Sequence, residues 1–251
     1  MNRAIETADA LNEVGWWSSW ASAFRPAEGA YALSSGEFEE PLFNRVFFTS
    51  PPKPKDLERI AKAFAARGAR PSFFVQTDDR YSGLRRALRA EGFRKEGGFH
   101  VMEERRLGVK ASSAVDVHEA SGKELEAWSR TYLKVFYGDE ALLPLVLRCV
   151  RRAKADESDK LVVAEQEGGV VGTMALHTDE GCTGLYCLGT VPDRRGGGVA
   201  GSLLAFAHSV KSDLGTKLVL QVFESDGVEQ FYLRRGYERV LSEEIFRRDQ
   251  P

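Results

Sequence analysis

The sequence has little that would serve a metal site or a disulfide framework. Its 251 residues include only three cysteines, Cys149, Cys182 and Cys187, and four histidines that lie far apart. Neither set has the short spacing of a zinc motif. An odd and sparse set of cysteines is typical of a reduced protein. We therefore expect no bound metal, no disulfide and a cytoplasmic location.

Long apolar runs and a strong net charge are also missing. No stretch approaches the roughly 20 apolar residues of a transmembrane helix, and the acidic start of the chain lacks the apolar core of a signal peptide. The net charge of -2 gives no reason to expect nucleic acid or an anionic membrane as partner. A hydrophobic fraction of 43% and a charged fraction of 29% are typical of a globular protein of one or two domains.

The C-terminal half alternates between strand and helix patterns. Apolar residues at helical spacing predict helices at 123–136, 141–154, 199–211 and 228–235. Runs rich in β-branched residues predict strands at 115–119, 161–165, 170–177, 183–191 and 218–223. A last strand pair is predicted at 237–240 and 244–246.

The N-terminal half has a similar pattern that is harder to interpret. Strands are predicted at 45–49, 72–76 and 99–103, and helices at 56–67 and 84–91. Trp16, Trp17 and Trp20 predict a helix face buried in a core. Gly92 and Gly236 each end a helix of similar pattern, which indicates an internal duplication. We predict two domains, 1–110 and 111–251, joined by a small polar linker at 108–113.

A glycine loop between a strand and a helix carries the chemistry. Gly196, Gly197 and Gly198 follow the strand, and the helix begins at Val199. Glycines let the backbone approach phosphates closely and adopt positive φ. The first helical N–H groups are unpaired, and the helix dipole favours negative charge there. Arg194 and Arg195 add positive charge beside these groups. The loop therefore predicts a pyrophosphate site.

Two familiar phosphate loops fit this segment less well. A Walker loop needs Lys followed by Ser or Thr after the glycines, and here Val199 and Ala200 follow. A dinucleotide fingerprint matches residues 196–201 letter for letter. However, a β-hairpin precedes the loop, and no acid ends the next strand until Glu224. A glycine loop alone is weak evidence for any of these ligands.

Two motifs in order resemble the GNAT family of N-acetyltransferases. Residues 195–200 (RGGGVA), with Val191 and Pro192 before them, are similar to its Arg/Gln-x-x-Gly-x-Gly/Ala element. Residues 231–237 (FYLRRGY) are similar to its second element. The resemblance covers about 114–246 and extends only faintly to the N-terminal half. It implies an α/β (α+β) fold in which helices flank a mixed, mostly antiparallel sheet, here duplicated.

The resemblance also implies an activity. In the family an amine attacks the thioester of acetyl-CoA directly, in a ternary complex, and a tyrosine in the position of Tyr232 protonates the departing thiolate. Such a donation is chemically reasonable for a phenol in a dry site. The residues implied to bind the acetyl-CoA co-substrate are Leu188, Gly189, Thr190, Val191, Arg194, Arg195, Gly196, Gly197, Gly198, Val199, Ala200, Gly201, Ser202, Ser225 and Tyr232.

The base that deprotonates the acceptor is left open. Many family members carry a glutamate on the strand before the loop, where this chain has Tyr186, Cys187 and Leu188. Glu224 is the first candidate. His177 and Asp179 are weaker ones, and removal of the proton by water is equally compatible with the sequence.

The N-terminal half lacks the cofactor motifs. Its counterpart of the glycine loop, residues 50–55 (SPPKPK), contains prolines that lack the N–H donors a pyrophosphate needs, and Leu88 replaces the tyrosine. We therefore expect a degenerate copy and one cofactor per chain, in a monomer or a homodimer. The alternatives are a non-catalytic acyl-CoA-binding or regulatory module, and a tandem acyl or aminoacyl transferase with a larger acceptor.

Overall fold

A computed structural model describes residues 3–106, 111–179 and 181–248. The chain forms two compact units. The first unit takes in the described residues of 1–102, 221–230 and 239–251, and the second takes in those of 103–220 and 231–238. The predicted domains 1–110 and 111–251 remain a prediction about the sequence, and residues 108–110 of the predicted linker lie outside the described residues. Within the described residues, no helix combines the length and the apolar character needed to span a bilayer.

The first unit has helices on both faces of a mixed sheet. Its elements are α1 (Arg3–Trp17), β1 (Ser22–Ala27), β2 (Ala30–Ser34), β3 (Arg45–Phe48), α2 (Pro54–Ala65), β4 (Ser72–Gln76), α3 (Ser82–Ala90) and β5 (Arg94–Glu104), joined by the last strand, β11 (Tyr237–Arg247). The strand order is β1-β2-β3-β4-β11-β5. β3 and β4 pair in parallel, whereas β11 runs antiparallel to β4.

Alternation along the strands divides the apolar core of the first unit into two layers. Val46 of β3 and Phe73 of β4 pack with α2 and α3. Phe47 and Phe74, their neighbours in sequence, pack on the other face with α1. Successive side chains of a strand point to opposite faces, so each strand contributes to both layers. The predicted tryptophan core is confirmed, since Trp16, Trp17 and Trp20 are all buried.

A charged cluster is buried in the first unit. Asp9 and Glu13 of α1, Arg45 of β3 and Glu243 of β11 are all buried. Arg45 forms an ion pair with Glu13, and Gln221 donates a hydrogen bond to Asp9 at 2.7 Å. Three carboxylates therefore share one guanidinium away from water.

The second unit carries the elements predicted for the C-terminal half. They are β6 (Asp116–Glu119), α4 (Leu125–Phe136), α5 (Leu143–Lys154), β7 (Asp159–Gln166), β8 (Gly169–Asp179), β9 (Cys182–Thr190), α6 (Val199–Leu214), the start of β10 (Lys217–Phe223) and the end of α7 (Glu229–Leu233). The strand order is β10-β9-β8-β7-β6. β6 to β9 are antiparallel, and β9 and β10 pair in parallel. The predicted fold class, a mixed and mostly antiparallel sheet flanked by helices, is confirmed.

Two strand predictions need correction. The last strand pair, 237–240 and 244–246, is wrong because β11 continues without a turn. Leu241 and Glu243 are buried and no glycine or proline interrupts the strand, so its backbone stays paired with β4. The β1–β2 hairpin was not predicted, since Pro26 interrupts the first strand pattern.

The order of elements is compatible with the predicted duplication. β3, α2, β4, α3 and β5 follow one another as do β9, α6, β10, α7 and β11. The first two strands of each series are parallel neighbours. Gly92 and Gly236 both have positive φ, at 83° and 86°. The duplication itself remains a prediction.

Candidate active site

The glycine loop forms an open helix N-terminus. A short 3-10 turn, Pro192–Arg194, leads from β9 into the glycines, and α6 begins at Val199. Gly196 and Gly198 have φ of 82° and 86°, a conformation that costs other residues about 1–2 kcal/mol. Gly198 occupies the N-cap position, where no side chain accepts a hydrogen bond. Because 196–198 are exposed, the first amides of α6 are accessible to an anion.

Ser112 and Ser202 hold the glycine loop in position. The buried Ser202 hydroxyl of α6 accepts a hydrogen bond from the backbone N–H of Ser112 at 2.9 Å. A methyl group at Gly198 would lie 3.0 Å from Cβ of Ser112. Ser112 therefore fixes the position of the loop. Because it lies 90 positions before Ser202 in the sequence, this role was not predicted. The hydroxyl of Ser202 serves the fold, and its backbone N–H donates to the carbonyl oxygen of Gly198 at 2.9 Å, so both groups are already used within the chain.

The two arginines of the loop differ in their partners. Arg194 donates to a carboxylate oxygen of Glu167 at 2.8 Å. Nε of Arg195 donates to the carbonyl oxygen of Thr190 at 3.3 Å, and the side chain is exposed. Glu167 already compensates the charge of Arg194, so Arg195 is the better placed of the two to attract an anion.

A polar recess adjoins the start of the loop. It has a volume of about 310 Å³ and lies between α4, the turn of the β7–β8 hairpin and residues 191–194. Lys134 and Asp193 line it at 3.7 Å from each other, and Arg194 lines it with its partner Glu167. Its charges of both signs are thus arranged in pairs.

Strand β9 is irregular just before the loop. Its register with β8 jumps from Tyr186↔Ala175 to Gly189↔Thr173, which makes a β-bulge at 187–188. Cys187 has a φ of 53°, and its carbonyl oxygen accepts a hydrogen bond from Thr173 Oγ1 at 3.1 Å. Leu188, half-buried, thus lies outside the regular ladder.

Three other predicted residues of this strand are more constrained. The N–H of Val191 donates to Val171 at 2.9 Å, which occupies the donor. Thr190 and Gly189 are buried and lie in register with β8. A methyl group at Gly189 would lie 2.6 Å from Cγ1 of Val135, so a glycine is required where α4 crosses the strand.

Tyr232 is a buried aromatic on α7. It is only 7% exposed, and its ring makes edge contacts with Phe231 and Tyr237 at centroid distances of 5.1 and 5.6 Å. Burial raises the pKa of Tyr237 well above its ordinary value, and the charge of Glu104 adds to this. Aromatic neighbours therefore shield Tyr232 from most of the solvent.

Gly236 fixes the end of this second motif. Its φ is 86°, and a methyl group there would lie 1.6 Å from the carbonyl oxygen of Arg106. The N–H groups of Arg105 and Arg106 both donate to the carbonyl oxygen of Gly236, at 2.9 and 3.2 Å. The motif needs glycine both for its backbone conformation and for close packing.

Glu224 and Ser225 lie in a 3-10 turn that follows β10, and both are exposed. The carboxylate of Glu224 lies above Gly98 of β5, where a methyl group would be 2.5 Å from Oε2. The structure thus adds Gly98 to the environment of this candidate base. In the sequence, Gly97 and Gly98 interrupt a strand pattern. Such glycines indicate a close approach of another group to the strand, and this signal could have predicted the contact.

His177 and Asp179 are unsuitable as the base. They lie in register with Gly184 and Cys182, six and eight residues along β9 from Thr190, which is a separation of about 20 Å or more. The imidazole of His177 is buried against Asp159, with Nδ1 2.6 Å from Oδ1. This pair belongs to the other end of the sheet.

One group of side chains has the composition of a metal site. Ligand atoms of His118, Glu124 and Glu165 lie within 4.8 Å of one another. Glu124 already accepts hydrogen bonds from the backbone and hydroxyl of Ser121 and contacts His118 at 2.8 Å. These contacts hold the turn that precedes α4, and they already use both carboxylate oxygens of Glu124.

One family model matches the part of the chain that contains the glycine loop. A family model described as an acetyltransferase (GNAT) domain matches residues 157–239, which include the glycine loop, Glu224 and Tyr232. These 83 residues are therefore similar to a GNAT acetyltransferase domain. No curated protein matches the sequence.

Solved structures extend the likeness of fold beyond the residues that the family model matches. A GCN5-related N-acetyltransferase from Kribbella flavida has 20% identity and a TM-score of 0.72 over 99% of this chain and 96% of its own. One from Sphaerobacter thermophilus has 13% identity and a TM-score of 0.67 over 98% and 93%. A glucosamine N-acetyltransferase region of a fungal multi-domain β-N-acetylglucosaminidase has 14% identity and a TM-score of 0.59 over 98% of this chain and 37% of its own.

Proposed function

We propose that this protein is an N-acetyltransferase that transfers the acetyl group of acetyl-CoA to a primary amine by direct attack in a ternary complex. The observation that carries this proposal is the open N-terminus of α6. Gly196 and Gly198 hold positive φ there, no side chain caps the helix, and the family model covers the segment. An uncapped and exposed helix N-terminus favours a pyrophosphate over water.

The predicted cofactor contacts can be assigned to chemical roles. Within residues 195–202, the N–H groups of Arg195, Gly197 and Ser202 donate to carbonyl oxygens of the chain. The other amides of this segment would hold the pyrophosphate, with the Arg195 side chain as the exposed cation beside them. On β9, the bulge at Leu188 leaves this residue outside the ladder, whereas the N–H of Val191 is already used. Leu188 is therefore the leading candidate for polarising the thioester carbonyl, where a preorganised donor stabilises developing negative charge. Ser225, exposed after β10, would contribute one polar contact.

Tyr232 is the proposed acid. When the C–S bond breaks, the thiolate of CoA accepts the phenolic proton, and the buried surroundings strengthen this donation. Glu224 would help to remove the proton of the acceptor ammonium. Neither role needs a metal ion or a covalent enzyme intermediate.

The N-terminal half is proposed to bind no cofactor. Its corresponding helix, α2, starts with Pro54, which has no N–H. The buried carboxylate of Asp56 accepts a hydrogen bond from the backbone N–H of Lys53 at 2.9 Å. The position of an anion is thus taken by the chain's own carboxylate, which supports one acetyl-CoA per chain.

The first test combines binding with turnover. Acetyl-CoA should raise the melting temperature, since a ligand specific for the folded state stabilises it by mass action. Free CoA thiol should then appear with a panel of primary amines that begins with glucosamine. The absence of a thermal shift would reject the cofactor, and a shift without turnover would support a binding module instead.

A variant tests the acid. Tyr232→Phe should lower kcat by about 100-fold or more and keep most of the affinity for acetyl-CoA. Tyr31→Phe, which alters a partly buried tyrosine of the first unit, is the matched control. Unchanged turnover in Tyr232→Phe would remove this residue from the reaction.

A further inference from the structure

The polar recess beside the glycine loop is continuous with the loop. Gln166 lines the recess, and its side-chain amide nitrogen lies 3.9 Å from the position that a methyl group at Gly197 would take. Arg194 also lines the recess and precedes Gly196 by two residues, so at most about 7 Å of chain separates the two. All of these residues belong to the second unit. A ligand held by the loop amides can therefore extend into the recess.

The recess is large enough for part of a cofactor-sized ligand. Its volume of about 310 Å³ is at the small end of ligand pockets, which span roughly 300–1,000 Å³. Among the residues that the structure describes, three basic and three acidic side chains line it. An anion therefore enters only if carboxylates of the lining turn away from it.

Two cations of the recess are each paired with a carboxylate that is more exposed than the cation. The side chain of Arg194 is 37% exposed and that of its partner Glu167 is 75% exposed. Lys134 and Asp193, 3.7 Å apart, have the same order with a smaller difference. Exposed ion pairs are weak in water. Each carboxylate can thus turn outward and leave its cation to a stronger anion.

The backbone of Glu167 is strained at the position that brings it to Arg194. Glu167 and Gly168 form the turn of the β7–β8 hairpin with φ of 53° and 77°. Asparagine, aspartate or glycine is preferred at the first of these positions, because other residues adopt positive φ only with strain. Strain of this kind is concentrated at ligand sites. The carboxylate of Glu167 is therefore a stand-in for an external anion on Arg194.

We propose that the recess binds the 3′-phosphate of CoA, and that Arg194 and Lys134 exchange Glu167 and Asp193 for it. The 3′-phosphate and the pyrophosphate of CoA are attached to the same ribose, so one ligand reaches both the recess and the loop. A phosphomonoester has a charge of about −1.5 to −2 at pH 7 and three acceptor oxygens. It is a stronger partner for these cations than a carboxylate.

This assignment names the form of the acyl donor. It rests on the proposed use of acetyl-CoA by this protein. The donor selected is a thioester of CoA itself, because a thioester on the phosphopantetheine of a carrier protein has no 3′-phosphate. The exchange of partners leaves the loop amides free for the pyrophosphate.

Calorimetric titration with CoA and with dephospho-CoA, which lacks only the 3′-phosphate, measures the contact. The unmodified protein should bind CoA about tenfold more tightly or better, as expected for a charge-assisted pair. Lys134→Gln should remove most of this preference by lowering the affinity for CoA, and the affinity for dephospho-CoA should stay unchanged. A loss confined to one of two such similar ligands cannot come from damaged folding.

Glu167→Gln should have an effect of the opposite sign. This change removes the carboxylate that competes with the phosphate, while the turn keeps a side chain of the same size. The affinity for CoA should rise about two- to fivefold, which corresponds to the release of an exposed ion pair. The affinity for dephospho-CoA should not rise.

A lysine of the same unit is the matched control. Lys160 of β7 is also exposed and pairs with Glu119 at 3.1 Å. It lies six residues before Gln166, which is about 20 Å along the strand. Lys160→Gln should bind both ligands as the unmodified protein does. The ligand-free melting temperatures of all three variants should match that of the unmodified protein, because exposed ion pairs contribute little.

Four results would overturn the inference. Equal affinity of the unmodified protein for CoA and dephospho-CoA would exclude the recess as the phosphate site. A preference for CoA that survives in Lys134→Gln would place the phosphate elsewhere. Equal changes for both ligands in Glu167→Gln would show that Arg194 serves the pyrophosphate. Failure of both ligands to bind would reject the proposed function itself, and the inference with it.

Discussion

Replacement of Glu243 by glutamine should stabilise the protein at alkaline pH. Glu243 lies on β11 in the buried cluster with Glu13 and Arg45, and burial raises its pKa to about 8. The negative charge of Glu13 contributes to this rise, whereas Arg45 opposes it. Glutamine has nearly the same shape and cannot ionise, so the substitution removes the titration and leaves the packing almost unchanged.

The sign of the pH dependence follows from the two pKa values. In the unfolded chain Glu243 ionises near 4.5, and in the folded protein near 8. Between these values the folded state binds more protons than the unfolded state, so the free energy of unfolding falls as the pH rises. The full interval corresponds to about 5 kcal/mol. Burial also raises the pKa values of Asp9 and Glu13, so their contribution has the same sign and persists in the variant.

Urea denaturation at pH 5, 7 and 8.5 measures the effect. Tryptophan fluorescence reports mainly on the first unit, since Trp16, Trp17 and Trp20 belong to it and Trp128 belongs to the second. We expect similar stabilities at pH 5 and an advantage of about 3–5 kcal/mol for Glu243→Gln at pH 8.5. Glu238→Gln, at an exposed ion pair, should change stability by less than about 1 kcal/mol. Parallel pH curves for Glu243→Gln and the unmodified protein would refute the reasoning.

Two further predictions concern the binding of acetyl-CoA at the glycine loop. Gly198→Ala, which combines a φ of 86° with a contact at 3.0 Å to Ser112, should weaken acetyl-CoA binding about tenfold or more in calorimetry. Gly196→Ala has the same strain in open space and should weaken it less; the reverse order would show that Ser112 does not position the loop. The same titration should give one acetyl-CoA per chain, because α2 is blocked by Asp56 and Pro54, and two equivalents would contradict the assignment of a degenerate copy.

The helices of the second unit and its central strands could be predicted because their signals are local. Apolar spacing identified α4, α5 and α6 to within a few residues, since each helix buries one stripe against the sheet. The strands that failed depend on distant partners. Residues 241–243 contain Ser and Glu and were left out of a strand, but Glu243 pairs with Gln76 of β4, and Ser242 accepts a hydrogen bond from the N–H of Thr77 just after β4. No feature of the sequence near 237–247 indicates that β4 is the neighbouring strand.

The features of the site also differ in whether local sequence signals could predict them. The glycine loop is one contiguous segment, so its residue types alone predict a phosphate site, whereas acetyl-CoA was inferred from the resemblance to the GNAT family. The bulge at Cys187 depends on the register with β8, and the support of the loop by Ser112 joins residues 90 positions apart. His177 was a candidate because of its residue type, but the structure buries it against Asp159 at the far end of the strand.

The two helix N-termini show what separates a binding loop from a structural one. α2 and α6 each follow a strand, and each dipole attracts a negative charge. In α2 the chain supplies that charge itself, because Asp56 accepts a hydrogen bond from Lys53, an intramolecular contact that stabilises the helix by about 1 kcal/mol. α6 forgoes such a cap, and Gly196 and Gly198 adopt conformations that no other residue type adopts without strain. A helix end that is uncapped, exposed and lined with glycine leaves its first N–H groups to water or to an external anion. For this reason we propose the glycine loop of α6 as the binding end.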